Sequence, residues 1–319
     1  MKLEDYKTLE EKEKDFNMIS GTARIHYETE KFFGLLEEFY SYNLLSPKNP
    51  TYAFRGQSEA KYKLYNSAQR YFYGNGINQL NKKIYEGPDS NKKLRFFIDW
   101  TTLIMTEGLK WQGAVIPKIL NQQTTDFKDS ILTVCSYLRH YGVPTPFLDF
   151  SQNPFIALFF AIEEAYYMPS NNEIENYVSL YVFDIKLSQH YAEYFETTGF
   201  YNVYLKPLEC YNLFKIWTNN NSNIFTNINI INQEGCLISN IMQNDSLEMA
   251  YNIFIDEYDK GITLKKNKLI TCYNIHKGLI PLIRKKLKEK GITKEFIYPD
   301  PYLIKEVTDK ATIELLKKE

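Results

Sequence analysis

The stretch that decides the fold lies near mid-chain, where Leu148-Asp149-Phe150-Ser151-Gln152-Asn153 runs straight into Pro154-Phe-Ile-Ala-Leu-Phe-Phe-Ala161. The pattern predicts a short apolar strand that turns into a helix. Asn153 is a good N-cap, and Pro154 suits the first helical position because the N–H it lacks would be unpaired there. The helix is apolar on almost every side, so we expect it to be buried. Asp149 and Ser151 are therefore expected on a rigid corner near the positive end of a helix dipole, where a protein can hold an anionic ligand.

The bulk composition is that of an ordinary globular protein. The chain has 319 residues, of which 44% are hydrophobic and 24% charged, which is enough for one large core or two modest ones. Lys and Arg total 38 against 39 Asp and Glu, so no global basic field recruits nucleic acid, although a local basic patch is compatible with this balance. The cysteines Cys135, Cys210, Cys236 and Cys272 lack metal-ligand spacing, so we expect reduced thiols and no metal site.

The N-terminal residues give no targeting signal. Met1 to Asp15 alternates acids and lysines without the apolar segment of a signal peptide. No window offers the roughly eighteen consecutive apolar residues that a membrane span requires. The sequence therefore predicts a soluble, cytoplasmic protein without a membrane partner.

Periodicity predicts helices and strands on both sides of the corner. Helices are predicted over residues 26–43, 93–109 and 126–141, with a helical turn from Ser67 to Tyr73. The predicted strands are Thr51–Arg55, which ends at Gly56, then the corner strand, Tyr177–Asp184, Gly235–Ile238 and Leu269–Asn274.

The C-terminal part carries an amphipathic segment from Lys277 to Lys290. Its apolar stripe faces a row of lysines, which we interpret as a solvated helix face rather than a nucleic-acid or membrane surface. The stripe consists of Leu279, Ile280, Ile283 and Leu287. Because no repeat or linker is visible, residues 1–319 are predicted to form a single α+β domain, with a helical N-terminal extension over 1–50 and a core over 51–319.

Two basic residues are candidates for contacting a ligand. Arg55 ends a predicted strand and precedes Gly56, so its planar fork would project into a cleft and suits phosphate or carboxylate. A surface ion pair is the alternative. His140 lies at a predicted helix C-terminus, where the dipole favours its protonated form. It is a candidate general acid or ligand contact, and a plain helix cap is the alternative.

The corner and a later turn supply the candidate acceptors. Asp149 is predicted to accept from a ribose hydroxyl or to orient a ligand, against the alternative of a buried carboxylate bonded to backbone N–H groups. Ser151 either contacts the ligand or caps the turn. Gln233 and Glu234 precede Gly235 and a strand, and Glu234 is the candidate carboxylate for stabilising a cationic transition state. A loop glutamate facing water is the alternative. No nucleotide-loop, zinc or nucleophile-elbow motif accompanies them.

These pieces, in this order, resemble the FRG-domain family, which is named for the tripeptide found here as Phe54-Arg55-Gly56. The most specific block is His140-Tyr-Gly-Val-Pro-Thr145 followed by Leu148–Pro154 and Ala157–Ala161. Leu64–Arg70, the Gln-x-Gly of Gln233 and Gly235, and the segment from Leu279 to Pro301 follow the family order. The resemblance covers roughly residues 25–310 and implies a bacterial or phage protein of defence or toxin systems.

By a second resemblance, the order of an arginine strand, a hydroxyl strand that enters a helix and a late Gln/Glu strand is similar to ADP-ribosyltransferases. This implies a mixed or antiparallel β core like theirs, with helical insertions, and NAD as substrate without a metal. It implies catalytic roles for Arg55, Ser151, Gln233 and Glu234. The implied nucleotide contacts are Arg55, Gly56, Gln57, His140, Tyr141, Asp149 and Ser151.

Three functions compete at this point. The first is an ADP-ribosyltransferase-like enzyme that consumes NAD and modifies an acceptor. The second is a binding module that keeps a pocket for a nucleotide or a partner protein without the chemistry. The second is favoured by Pro146 and Asn229, which stand where the family usually has arginine. The third is a nuclease or toxin acting on nucleic acid through His140, Asp149 and the basic C-terminal segment, which the neutral net charge disfavours.

Overall fold

The fold is taken from a computed structural model of the chain. The structure describes residues 3–16, 24–25, 29–46, 50–77, 100–101, 103–104, 107, 139, 142–188, 210–211, 232–240, 244–252 and 269–299. At residues 24, 25, 29, 210 and 211 it describes the backbone alone.

The described residues form a mixed α+β structure, which confirms the predicted fold class. The strands are β1 (Arg24–Ile25), β2 (Tyr52–Gln57), β3 (Phe147–Ser151), β4 (Tyr177–Asp184), β5 (Cys210–Tyr211), β6 (Gly235–Ser239) and β7 (Ile270–His276). The helices are α1 (Leu9–Asp15), α2 (Thr29–Leu45), α3 (Ser67–Gly74), α4 (Pro154–Ile162), α5 (Ile280–Glu289) and α6 (Lys294–Ile297). Two short 3-10 turns, Glu173–Asn176 and Lys277–Leu279, precede β4 and α5.

The strands form one mixed sheet in the order β1-β7-β4-β2-β3-β6-β5. The pairs from β7 through to β5 are antiparallel, and the edge strand β1 runs parallel to β7. β2 pairs with β4 from Tyr52 to Gln57, but it pairs with β3 only where Phe54 meets Ser151. The sheet is therefore least tightly joined between β2 and β3, beside the predicted corner.

Two hydrophobic cores lie on opposite faces of the sheet. On the face that we call the helix face, α2, α4 and α5 pack against Phe54, Val182 and Tyr273. On the other, which we call the N-terminal face, Tyr6, Leu9 and Phe16 from the α1 segment pack against Ala53, Tyr181 and Cys272. Because successive residues of a strand point to opposite faces, β2, β4 and β7 each contribute to both cores.

The corner forms as the sequence predicts. The Asn153 side chain accepts from the N–H of Phe155, and Pro154 occupies the first turn of α4. α4 is buried along most of its length, as expected for a helix without a polar stripe. It lies directly over β2, where Gly56 meets Ala157 and Ala161 without an intervening side chain.

A buried lysine fastens α1 to the N-terminal face. The Lys12 ammonium donates to the Ala60 carbonyl at 2.8 Å, to Ser179 Oγ at 2.6 Å and to Asn274 Oδ1 at 2.9 Å. It also lies 5.0 Å from the ring centroid of Tyr181, a distance that suits a cation–π contact. Burial lowers the pKa of Lys12 below its ordinary value, because a dry environment disfavours the charged form.

Most predicted elements within the described residues are confirmed, with shifted ends. Tyr177–Asp184 is a strand over its full predicted length, and the helix predicted over 26–43 is Thr29–Leu45. The strand predicted to end at Gly56 continues to Gln57, so that Gly56 lies inside it. Helices predicted over 93–109 and 126–141 fall mostly outside the described residues.

The structure also bears on three other predictions: the state of the cysteines, the amphipathic C-terminal segment and the absence of a membrane span. Cys236 and Cys272 are buried, while the side chains of Cys135 and Cys210 lie outside the description. In the C-terminal segment Ile280, Ile283 and Leu287 are buried, which confirms its core face. None of the helices within the described residues has the length and apolarity needed to cross a membrane.

The first prediction concerns the contact between Gly56 and α4. A Cβ atom at position 56 would lie 1.9 Å from the Ala157 carbonyl oxygen and 2.6 Å from the Ala161 nitrogen. Both are backbone atoms of a packed helix, so the helix itself must move. We expect Gly56→Ala to lower the free energy of unfolding by about 2 kcal/mol or more, measured by denaturant unfolding.

Gly34→Ala in α2 is the matched control. Gly34 is exposed and nothing lies within 4 Å of a Cβ atom added there. Alanine in a helix interior is favoured over glycine, so this variant should gain about 0.5–1 kcal/mol. Equal effects of the two substitutions would contradict the close packing of α4 on β2.

The second prediction is a pH dependence that comes from Lys12. Its pKa is lowered in the folded state, so as the pH rises the folded protein releases this proton before the unfolded chain does. The unfolded state then binds more protons, and stability rises with pH up to the ordinary lysine value of 10.5. Unfolding curves measured across this window should show the rise in the wild type relative to Lys12→Met. Parallel pH profiles of the two proteins would contradict it.

Candidate functional site

The strand β2 divides its side chains between the two faces of the sheet. Phe54 is buried in the core of the helix face, and Gly56 lies beneath α4 on the same face. Arg55 pairs with Tyr181 of β4, and Gln57 pairs with Ser179, whose hydroxyl binds Lys12. Arg55 and Gln57 therefore point to the N-terminal face, two residues apart on one strand.

Arg55 connects β2 and β3, the two neighbouring strands that share a single register pair. Its Nη1 donates to the main-chain carbonyl of Asp149 in β3 at 2.6 Å. Its Nε is buried and has no hydrogen-bond partner among the described residues. Burial lowers the pKa of Arg55 to about 10, with a further lowering from the charges of Arg139 and Arg70. The guanidinium still carries its charge at neutral pH.

Gln57, two residues further along β2, also has a buried polar atom without a described partner. The residue is 7% exposed, and its Oε1 is buried without a hydrogen-bond partner among the described residues. Buried polar atoms in folded proteins nearly always have a partner, and leaving one unpaired costs about 1–3 kcal/mol. An unpaired donor on Arg55 and an unpaired acceptor on Gln57 thus share the N-terminal face of β2.

Asp149 is held by an arginine that lies ten residues earlier in the chain. Arg139 Nε donates to Asp149 Oδ1 at 2.5 Å, and Arg139 Nη2 donates to Oδ2. The Arg139 guanidinium also reaches the Phe147 carbonyl, Ser67 Oγ and Thr145 Oγ1. The Asp149 carboxylate is exposed, so the alternative of a buried carboxylate bonded to backbone N–H groups is wrong.

Positive charge exceeds negative charge around this strand pair. The charges of Arg139 and Arg70 both act on Arg55, and Asp149 is the carboxylate that acts on it. Arg70 donates to the main-chain carbonyls of Tyr65 and Lys63 and lies over the ring of Tyr62. Among the described residues, the named charges on Arg55 are two guanidinium groups and one carboxylate. With Arg55 itself this set has an excess of positive charge, which favours an anion.

The Ser151 hydroxyl forms its hydrogen bonds within the corner between β3 and α4. Its hydroxyl donates to the Gln233 carbonyl at 2.7 Å and accepts from the Asn153 N–H at 3.0 Å. The alternative in which Ser151 caps the turn matches these contacts. The Gln233 side chain donates to the Ile297 carbonyl at 3.3 Å, beside α6.

Glu234 occupies a fixed position on the helix face. Its Oε1 accepts from the Tyr40 hydroxyl and from the Asn153 amide, each at 2.9 Å. Burial and the Glu234 carboxylate raise the pKa of Tyr40, so its hydroxyl keeps its proton and donates. With φ of 45°, Glu234 is the one non-glycine residue of the described part in the left-handed region. The alternative of a loop glutamate facing water does not match these contacts.

The structure brings some of the predicted site residues together and separates others. Arg55, Gln57 and the Asp149 carbonyl form one group, while Ser151, Gln233 and Glu234 form a second. Because Arg55 points to the N-terminal face and Glu234 contacts α2 and α4, the two groups face opposite sides of the sheet. His140 and Tyr141 lie outside the described residues.

Three residues that contribute contacts to the site were not among the candidates chosen from the sequence. Arg139 lies in the same segment as His140, but its role depends on Asp149 and Thr145, which only the fold brings to it. Arg70 lies in the Leu64–Arg70 match, and Tyr40 lies on α2. Arg70 ends the Leu64–Arg70 block and Arg139 directly precedes the His140–Thr145 block, and this position beside the matched residues was the available signal.

Of the two positions at which the family usually has arginine, the structure describes Pro146. Pro146 is buried, and its carbonyl accepts from the Asn240 N–H at 2.8 Å. Asn229 lies outside the described residues. Within the described ranges no group of three or more His, Cys, Asp or Glu side chains could hold a metal ion.

Comparison with known proteins identifies the region that carries the arginine group. Residues 50–168 match the model of the FRG domain, a range that includes β2, α3, β3 and α4. Searches of curated proteins and of solved structures gave no match. The likeness to ADP-ribosyltransferases is thus unsupported by a known structure. Arg55, Arg70, Arg139 and Asp149 all lie inside the matched range, and the chain contains an FRG domain over residues 50–168.

Proposed function

We propose that this FRG domain binds an anionic nucleotide, with NAD as the first ligand to test, through Arg55. The observation that carries the proposal is the buried Arg55 Nε, which has no partner in the described part of the chain. A charged donor that is removed from water and left unpaired costs more than a neutral one. A phosphate oxygen would satisfy it and would also use the planar fork of the guanidinium.

Charge balance supports an anion rather than a neutral ligand. Burial is the main cause that lowers the pKa of Arg55. Asp149 opposes this shift, and the like charges of Arg139 and Arg70 add to it. A pyrophosphate carries enough negative charge to offset the excess, and Arg139 and Asp149 would keep their own ion pair. Arg55 is thus the residue with free bonding capacity.

Gln57 supports a ligand with hydroxyl or amide donors beside the phosphates. Its Oε1 is buried and has no partner in the described part of the chain, and it shares a strand face with Arg55. The ribose hydroxyls and the carboxamide of NAD are donors of this kind. Binding of NAD would pair an acceptor and a donor that the described contacts leave without partners.

Cleavage of NAD is the second candidate, and one observation favours it. The Glu234 carboxylate is oriented by two hydrogen bonds on strained backbone, as expected for a group that stabilises a cationic ribose. Its position on the face opposite Arg55 favours binding over turnover. The role in bacterial defence or toxin systems that the family resemblance implies belongs to this second candidate, since NAD consumption would harm a cell.

The third prediction tests Arg55 as the nucleotide anchor. Lysine keeps the charge but loses the fork, so Arg55→Lys should weaken NAD binding about tenfold or more, equivalent to about 1.4 kcal/mol. Binding is measured by isothermal titration calorimetry. A thermal-shift series provides the second readout, because a ligand bound only by the folded state raises its stability.

Arg284→Lys is the matched control. Arg284 on α5 also donates to main-chain carbonyls, those of Ile162 and Ala165 at 3.1 Å, but far from β3 in the fold. This variant should bind NAD like the wild type. The proposal fails if the wild type does not bind NAD, or if both lysine variants bind it equally well. Labelled NAD incubated with the wild type distinguishes binding alone from turnover.

A further inference from the structure

A second concave site lies on the helix face, away from Arg55. It is a cleft of about 480 Å³ between α2, the start of α4 and the segment that follows α5. Its walls include Tyr40, Leu44, Asn153, Glu234, Lys290 and Phe296. The FRG-domain match assigns no ligand to this cleft, and nucleotide binding at Arg55 does not use it. Only the second candidate, NAD cleavage, would place a ribose against Glu234.

One oxygen of the Glu234 carboxylate, a residue that lines the cleft, has no hydrogen-bond partner among the described residues. Both of its described hydrogen bonds, from Tyr40 and Asn153, reach the same oxygen, Oε1. No described residue donates to Oε2, and Glu234 forms no ion pair with Lys290, whose partner is Glu37. The side chain is therefore fixed in direction while half of its bonding capacity is unused.

The cleft already contains one positively charged side chain of the protein itself. The Lys290 ammonium lies 4.5 Å from the ring centroid of Phe155 and 2.6 Å from Glu37 Oε1. Its aromatic wall thus accepts a cation in a cation–π contact. Counting Glu37, Glu234 and Lys290, the cleft keeps one uncompensated negative charge, located at Glu234.

Exposed apolar side chains line the cleft that contains the Glu234 carboxylate. Leu44 is 59% exposed and Phe296 is 42% exposed, and both line the cleft. Exposed apolar side chains beside a half-buried carboxylate suit a ligand with an apolar stem and a charged tip. An arginine side chain has this shape, and its guanidinium binds carboxylates and ring faces better than the more strongly hydrated ammonium of lysine.

We propose that this cleft binds an arginine side chain of a partner protein, with the guanidinium on Glu234 Oε2 and the alkyl stem between Leu44 and Phe296. Charge complementarity carries the choice of occupant. The backbone of Glu234 is held at φ 45°, a conformation that costs stability in a residue other than glycine. The site does not depend on NAD or on Arg55.

The fourth prediction uses two peptides that differ in charge alone. The probes are acetyl-Gly-Arg-Gly-amide and the same peptide with neutral citrulline in place of arginine. In NMR titrations the wild-type protein should bind the arginine peptide at least about tenfold more tightly. Glu234→Gln keeps an oxygen for Tyr40 and Asn153 but removes the charge, so it should abolish this preference.

Three further variants make the result decisive. Glu30→Gln removes an equivalent charge on α2, outside the cleft, and should keep the preference for arginine. Glu234→Gly adopts positive φ without strain, so it should fold and still lose the preference even if Glu234→Gln is unstable. Arg55→Lys should bind both peptides like the wild type, which separates this site from the nucleotide site. Equal wild-type affinity for the two peptides, or a preference that survives in both Glu234 variants, overturns the proposal.

Discussion

The close contact between Gly56 and α4 is the constraint on which the rest of the structure depends. A single methyl group at position 56 would overlap the backbone of the helix. Helix and strand can therefore approach only where the strand has no side chain. This contact fixes which face of β2 receives α4, and with it the face of every other residue in the strand.

The alternation of β2 then determines what the Phe-Arg-Gly tripeptide can do. Phe54 and Gly56 are committed to the helix face, so Arg55 and Gln57 must face the other way. There β2 and β3 share a single register pair, and Arg55 bonds across to the Asp149 carbonyl. The same geometry places Glu234 on the opposite face, against Tyr40 and Asn153. One strand thus separates the arginine group, where we propose that the nucleotide binds, from the Glu234 carboxylate, where we propose that a guanidinium binds.

The sequence was most informative where local physics decides the outcome. The N-cap at Asn153, the proline at the start of α4 and the strand Tyr177–Asp184 follow from residue preferences over a few positions. The single-domain organisation over residues 1–319 stays a prediction, as do the catalytic roles of Ser151, Gln233 and Glu234.

The site was less predictable because its contacts are long-range. The residues next to Arg139 in sequence do not indicate that it would form an ion pair with Asp149. The chain must turn between the two residues to bring them together. Glu234 resembled a solvent-facing loop residue because Tyr40, its hydrogen-bond donor, lies 194 positions earlier. The hydroxyl of Ser151 could serve a ligand or the turn, and only the contacts with Gln233 and Asn153 distinguish these uses.

The measurement that tests the central claim most directly is a crystal structure of the chain with NAD. The account predicts the pyrophosphate on the N-terminal face of β2, with an oxygen within hydrogen-bond distance of Arg55 Nε. The ligand should also satisfy Gln57 Oε1. NAD bound on the helix face, with its nicotinamide ribose against Glu234 and Arg55 Nε still unpaired, would contradict it.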